Sequence, residues 1–77
     1  MNKIIMYKKD RCPLCEEVES LIDLLELDFS IEREEVDIES DEDLMEKYMF
    51  EIPVIIVNGE EMEYRSIDYF SIKKRLH

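Results

Sequence analysis

The chain has 77 residues, 45% hydrophobic and 40% charged, with one glycine, two prolines and a formal net charge of −11. That length allows one domain, residues 1–77, with a modest core near the lower limit for folding without staples. The composition is too apolar for a disordered chain and too polar for a membrane protein, and the acid excess excludes the phosphate attraction that nucleic-acid binders use.

The same excess repels anionic membrane surfaces and favours basic partner surfaces, although high charge also simply keeps a small protein in solution. The longest apolar run, Val54-Ile55-Ile56-Val57, is far shorter than a membrane-spanning helix. Met1 to Met6 lacks an extended apolar region followed by a small-residue cleavage site, so no secretory signal is expected and the default location is cytoplasmic.

In chain order, Lys3 to Tyr7 is a short apolar run of the kind that forms a strand buried on both faces. Pro13 suits the first turn of a helix, where its missing N–H had no partner to lose. Leu14, Val18, Leu21, Ile22 and Leu25 then fall on one helical face. A second strand lies within Phe29 to Ile38, and its charged middle, Glu32-Arg33-Glu34-Glu35, marks a protected sheet edge. The acidic run Glu39-Ser40-Asp41-Glu42-Asp43 opens a helix that Ser40 or Asp41 caps. Leu44, Met45, Tyr48 and Met49 form its stripe. Pro53 precedes the strand Val54 to Val57, Asn58-Gly59 signals a hairpin, and Glu61 to Tyr64 alternate as a strand. Tyr69, Phe70, Ile72 and Leu76 close the chain as a helix. Tyr7, Tyr48, Tyr69 and Phe70 are expected at the core or its edge, Met45, Met49 and Met62 as core filler. His77, last in the chain, is expected to be mobile.

The order β-α-β-α-β-β-α predicts an α/β fold. Strands joined through helices imply parallel pairs, and the final hairpin is antiparallel. The result is a four-stranded mixed sheet in the order 2-1-3-4 with helices on both faces; the two most continuously apolar strands are central.

Cys12 and Cys15, separated by two residues, would close only a tiny loop as a structural bridge. In a reducing compartment such a pair indicates redox chemistry or metal binding. A tetrahedral zinc site needs four ligands, and the chain offers two cysteines and His77, so metal would require a site shared across a dimer. Two buried cysteines acting as small hydrophobes are the plain alternative.

The segment Cys12-Pro13-Leu14-Cys15-Glu16, with Val36-Asp37-Ile38, Leu44 and Tyr48, and Ile52-Pro53-Val54, resembles the glutaredoxins and thioredoxins. It is most similar to small bacterial and archaeal glutaredoxin-like proteins that carry C-x-L-C-E and a later I-P-V. The resemblance covers nearly the whole chain. It implies a thioredoxin-like fold and thiol–disulfide exchange, with no cofactor. It also implies a cis peptide bond before Pro53, packed against the cysteines, and an Ile52 backbone free to pair with a substrate segment. Lys9 stands where glutaredoxins hold a glutathione carboxylate. Glu51-Ile52-Pro53 replaces their T-V-P, and Tyr64-Arg65-Ser66-Ile67-Asp68 replaces their Gly-Gly-x-Asp turn. Asp68 could still meet the glutathione amino group and Arg65 an anion, while Tyr7 ends the strand feeding the active-site loop.

Physical chemistry points the same way. Attack on a disulfide needs a thiolate, and a free cysteine, with a pKa of about 8.5, is mostly protonated near neutrality. At a helix N-terminus the unpaired amides and the dipole favour the anion, and Lys8, Lys9 and Arg11 add positive charge, opposed by Asp10, Glu16 and Glu17. Cys12 is therefore the expected nucleophile, exposed, and Cys15 the resolving thiol, one turn further in and buried; Pro13 stiffens the turn between them. The expected partners are a protein disulfide and a thioredoxin-reductase-like or glutathione donor, met by a monomer, with no nucleic acid or membrane. The alternative is an adaptor module on the same fold.

Overall fold

The computed structural model describes residues 1–77. Strand β1 (Asn2–Lys8) is followed by helix α1 (Pro13–Leu25), strand β2 (Ile31–Asp37), helix α2 (Glu42–Tyr48), strands β3 (Val54–Val57) and β4 (Glu60–Glu63), and helix α3 (Tyr69–Lys73). Short 3-10 turns at Ile38–Ser40 and Tyr64–Ser66 lead into α2 and α3. The sheet order is β2-β1-β3-β4, as the apolar content of β1 and β3 predicts.

One topological expectation is corrected. β1 and β2 pair in parallel, but β3, reached from β2 through α2, pairs with β1 and runs antiparallel to it. Helix length explains the difference. A seven-residue strand spans about 23 Å, and thirteen-residue α1 covers about 20 Å, enough to carry the chain back along the sheet. Seven-residue α2 covers only about 10 Å, so the chain re-enters the sheet at the end it left. β2 therefore ends, and β3 begins, at the same end of the sheet as the end of β1.

Strand alternation sorts the side chains. Ile4, Met6, Ile55, Val57 and Met62 are fully or almost fully buried on one face, which α1 and α3 cover together. The α1 stripe consists of Cys15, Val18, Ile22 and Leu25. Leu14 is not part of it and stands 47% exposed, because Cys15, one position on, takes the inward place in the first turn. On the other face Tyr48 of α2 stacks on Tyr7, centroids 4.8 Å apart, and its hydroxyl donates to Glu61. Phe70 and Met49 are corrections of a similar kind: Phe70 is 74% exposed on five-residue α3, and Met49, just past α2, is 41% exposed. On each element the inward position goes to another residue, Ile72 in α3 and Tyr48 in α2.

The caps follow the chemistry of the sequence. Asp41, not Ser40, caps α2, accepting the N–H groups of Asp43 and Leu44, while Ser40 donates to the Asp37 carbonyl. Asn58 and Gly59 both have positive φ, 50° and 88°, the pair of left-handed residues that a tight hairpin turn requires.

The start of β1 is locked by polar bonds. Asn2, 1% exposed, donates through Nδ2 to the carbonyls of Ser30 and His77 and accepts through Oδ1 from Asn58 Nδ2 and the His77 N–H. The His77 backbone is thus held in place rather than mobile. Replacing Asn2 by alanine strands these buried partners, so Asn2→Ala should lower unfolding stability by about 2 kcal/mol in urea titration, with β1–β3 pairing retained by NMR.

Candidate active site

β1 delivers the chain into the loop Lys9-Asp10-Arg11 at the end of the sheet where β2 stops and β3 starts. Arg11 turns with φ of 56°, a left-handed conformation that costs a non-glycine residue on the order of 1 kcal/mol. This turn aims Cys12 at the start of α1. Cys12 is the N-cap, Pro13 holds the first helical position, and Cys12 Sγ accepts the Cys15 N–H at 3.1 Å. The sulfurs are joined as a disulfide, with Cα atoms 5.2 Å apart.

Cys12 is 9% exposed and Cys15 2%. Cys15 is buried as expected, but Cys12, expected to be exposed, is buried as well and belongs to the core cluster in this disulfide form. A small cleft at this point is lined by Lys8, Lys9, Asp10, Arg11, Cys12, Cys15, Glu16 and Glu19. Three cations there meet three carboxylates, so side-chain charge nearly cancels and the helix-start amides remain the main support for a thiolate.

Lys8 departs from its expected place as a free positive charge beside Cys12. Its Nζ lies 2.6 Å from Glu19 Oε1 and 2.5 Å from Glu35 Oε1. Arg33 continues the cluster, with NH1 2.5 Å from Asp23 and 2.8 Å from Glu26, and Nε 3.3 Å from Glu35. The hydrogen bonds to Glu19 and Glu35 push the Lys8 pKa up to about 12. The Lys8 hydrogen bond in turn holds the Glu35 carboxyl below its usual value. Lys9 and Arg11 form no ion pair and remain available in the cleft. Glu19 is the lining residue that the sequence reading missed. Its signal is spacing: it lies four residues after Cys15 and so shares its helical face.

The Ile52–Pro53 peptide bond is cis, as the resemblance implies. Val54 pairs with Tyr7, so residues 51–53 reach the sheet at the end where the cysteine loop leaves it. Ile52, Cys12 and Cys15 belong to one buried cluster, and the Ile52 N–H and C=O make no hydrogen bond within the chain. Other candidates lie apart from the cleft. Tyr7 is stacked under Tyr48 on the α2 side. The Arg65 side chain is 68% exposed and lies over the Tyr64 ring. Asp68 caps α3, accepting the Ser71 N–H at 2.8 Å and the Ser71 hydroxyl at 3.1 Å, and the Ser71 N–H holds its carboxyl below the usual value. β4 ends opposite Val54, so the turn carrying Arg65 starts from the cysteine end of the sheet. Metal-ligand geometry occurs only in an exposed trio, Asp10, Asp37 and Glu39, with oxygens within 4.8 Å of one another. It includes neither cysteine, and His77 is bonded to Asn2 at the far end of β1.

The sheet order, the helix-capping cysteine pair and the cis proline define a thioredoxin-like protein with a C-x-x-C site. Residues 3–77 match the glutaredoxin-like domain family (DUF836), and the chain belongs to that family. A search of curated proteins finds no match. Among solved structures, protein Ne2328 of Nitrosomonas europaea, determined by NMR, is 28% identical with a TM-score of 0.78, over 99% of this chain and 92% of that one. A variant of the thioredoxin-like protein BC3987 is 20% identical with a TM-score of 0.58, over 77% of this chain and 81% of that one. A thioredoxin variant of Halobacterium salinarum is 18% identical with a TM-score of 0.57, over 80% of this chain and 57% of that one. The last two share the fold.

The ion cluster makes stability depend on pH in a defined direction. Glu35 is depressed in the folded state, so its contribution is present above its ordinary value of 4.5 and is lost as pH falls through the lowered folded value. Lys8 is raised, so its contribution is present below 10.5 and is lost as pH rises through about 12. Lys8→Met should lower stability at neutral pH by about 1 kcal/mol, discounted for partial exposure. It should also flatten the loss of stability below pH 4.5, read by thermal melts across the acid range.

Proposed function

We propose that this protein is a cytoplasmic dithiol oxidoreductase that reduces protein disulfides, acting as a monomeric single domain. The observation that carries the reading is Cys12 Sγ capping α1 and accepting the Cys15 N–H at 3.1 Å, since a backbone N–H aimed at sulfur stabilises the thiolate more than the thiol. In the reduced protein the Cys12 thiolate attacks one sulfur of the substrate disulfide. The S–S bond breaks, one substrate thiolate leaves and takes a proton from water, and a mixed disulfide remains. Cys15 then loses its proton and attacks Cys12 Sγ, which releases the second substrate thiolate. The substrate gains two electrons, and Cys12–Cys15 closes as the disulfide. A second dithiol, delivered by an enzyme of the thioredoxin-reductase class, reduces it again.

Protein recognition fits the surroundings better than glutathione. The unpaired Ile52 backbone offers an edge on which an extended substrate segment can pair. Glutathione is anionic and would meet a chain of net charge −11, with Glu51 beside Ile52. Tyr64 and Arg65 occupy the turn where two glycines would let amides approach it, and the Asp68 carboxylate is already held by Ser71. Of the two unpaired cations in the cleft, Lys9 and Arg11, Lys9 holds the position suited to a glutathione carboxylate.

Three measurements test the reading. After reduction and brief iodoacetamide treatment, mass spectrometry should find Cys12 alkylated well before Cys15. Cys12→Ser should abolish insulin reduction, and Cys15→Ser should trap a mixed disulfide. Equal labelling, or full activity in Cys12→Ser, would favour the adaptor reading. Turnover of a glutathionylated peptide should be slow beside insulin reduction driven by a thioredoxin-reductase system. Fast turnover abolished by Lys9→Glu would restore glutathione as the donor.

A further inference from the structure

The end of the molecule opposite the cysteines carries an apolar groove with a cationic rim. Phe29, Phe70 and Leu76 form its apolar wall and Lys73 and Lys74 its edge, around a volume of about 550 Å³. Phe70 is 74% exposed, and Leu27, two residues before Phe29, is 80% exposed. Leu76 precedes His77, whose backbone is bonded to Asn2 at the start of β1. The groove is therefore separated from the cysteine loop by the length of a seven-residue strand, about 23 Å.

We propose that this groove docks a segment of a partner protein that presents apolar side chains flanked by carboxylates. An exposed aromatic side chain on the wall of an apolar groove marks a contact surface. The charge identifies the occupant. The chain has 21 acidic and 10 basic residues, yet Lys73 and Lys74 at this rim form no ion pair. An acidic apolar segment is repelled by most of the surface and attracted here, which selects both site and orientation. A basic segment meets the reverse. A second copy brings a net charge of −11 of its own. An anionic bilayer presents the same repulsion to the rest of the chain. Docking here leaves the cysteine end open, so the groove holds a partner without blocking disulfide exchange. The proposal stands whether or not the redox reading does.

The probe is a fluorescein-labelled amphipathic peptide of leucine, phenylalanine and glutamate, with a control in which lysine replaces every glutamate. Fluorescence polarisation should show saturable binding of the glutamate peptide, and amide NMR shifts should centre on Phe29, Phe70, Lys73 and Leu76. Phe70→Ser, a change at an exposed position that leaves the core intact, and Lys73→Glu with Lys74→Glu should each weaken binding about tenfold. Insulin reduction should be unchanged in both variants. Shifts centred elsewhere, or affinity unchanged in both variants, would overturn the proposal. So would self-association that disappears in Phe70→Ser, or binding only to vesicles of phosphatidylglycerol and phosphatidylcholine in equal parts.

Discussion

The hydrogen bond from the Cys15 N–H to Cys12 Sγ is the constraint around which the site is arranged. A helix leaves its first N–H groups without partners, and here a sulfur satisfies one of them. The same bond ties Cys12 to the more deeply buried Cys15 and fixes where α1 begins. Pro13 occupies the one helical position where a missing N–H costs nothing. Cys15 then begins the inward stripe that continues through Val18, Ile22 and Leu25. The site is thus anchored in the core and cannot shift along the helix without exposing that stripe.

A second layer holds α1 against the sheet by charge. β2 is an edge strand, and beyond Ile31 the residues it turns toward α1 are Arg33 and Glu35. Glu19 and Asp23 from α1, Glu26 at its C-cap and Lys8 from β1 complete the contact. Each cation is shared between carboxylates, which offsets the desolvation that partial burial imposes. The arrangement keeps the edge polar and resistant to pairing with other chains. It also removes Lys8 from the positive charges available to Cys12, leaving Lys9 and Arg11. The side-chain charge of the cleft is therefore close to neutral inside a strongly acidic protein.

Much of this was legible in the residues. Apolar runs located β1 and β3, the spacing of Val18, Ile22 and Leu25 located α1, Asp41 and Asn58-Gly59 marked a cap and a turn, and Cys12-Pro13-Leu14-Cys15 marked the site. These are local signals, set by helical and strand periodicity, by capping and by backbone freedom, and each acts over a few residues. What depended on distant partners was not legible. The antiparallel docking of β3 on β1 follows from the length of α2 relative to the sheet. The exposure of Leu14, Met49 and Phe70 follows from which neighbour on each element takes the inward position. The anchoring of His77 needs Asn2, 75 positions away in the chain. Lys8 met Glu19 and Glu35 only because parallel pairing set Lys8 and Glu35 on neighbouring strands while α1 folded over both. Periodicity reports which side of an element is apolar; only the packed chain decides what that side meets.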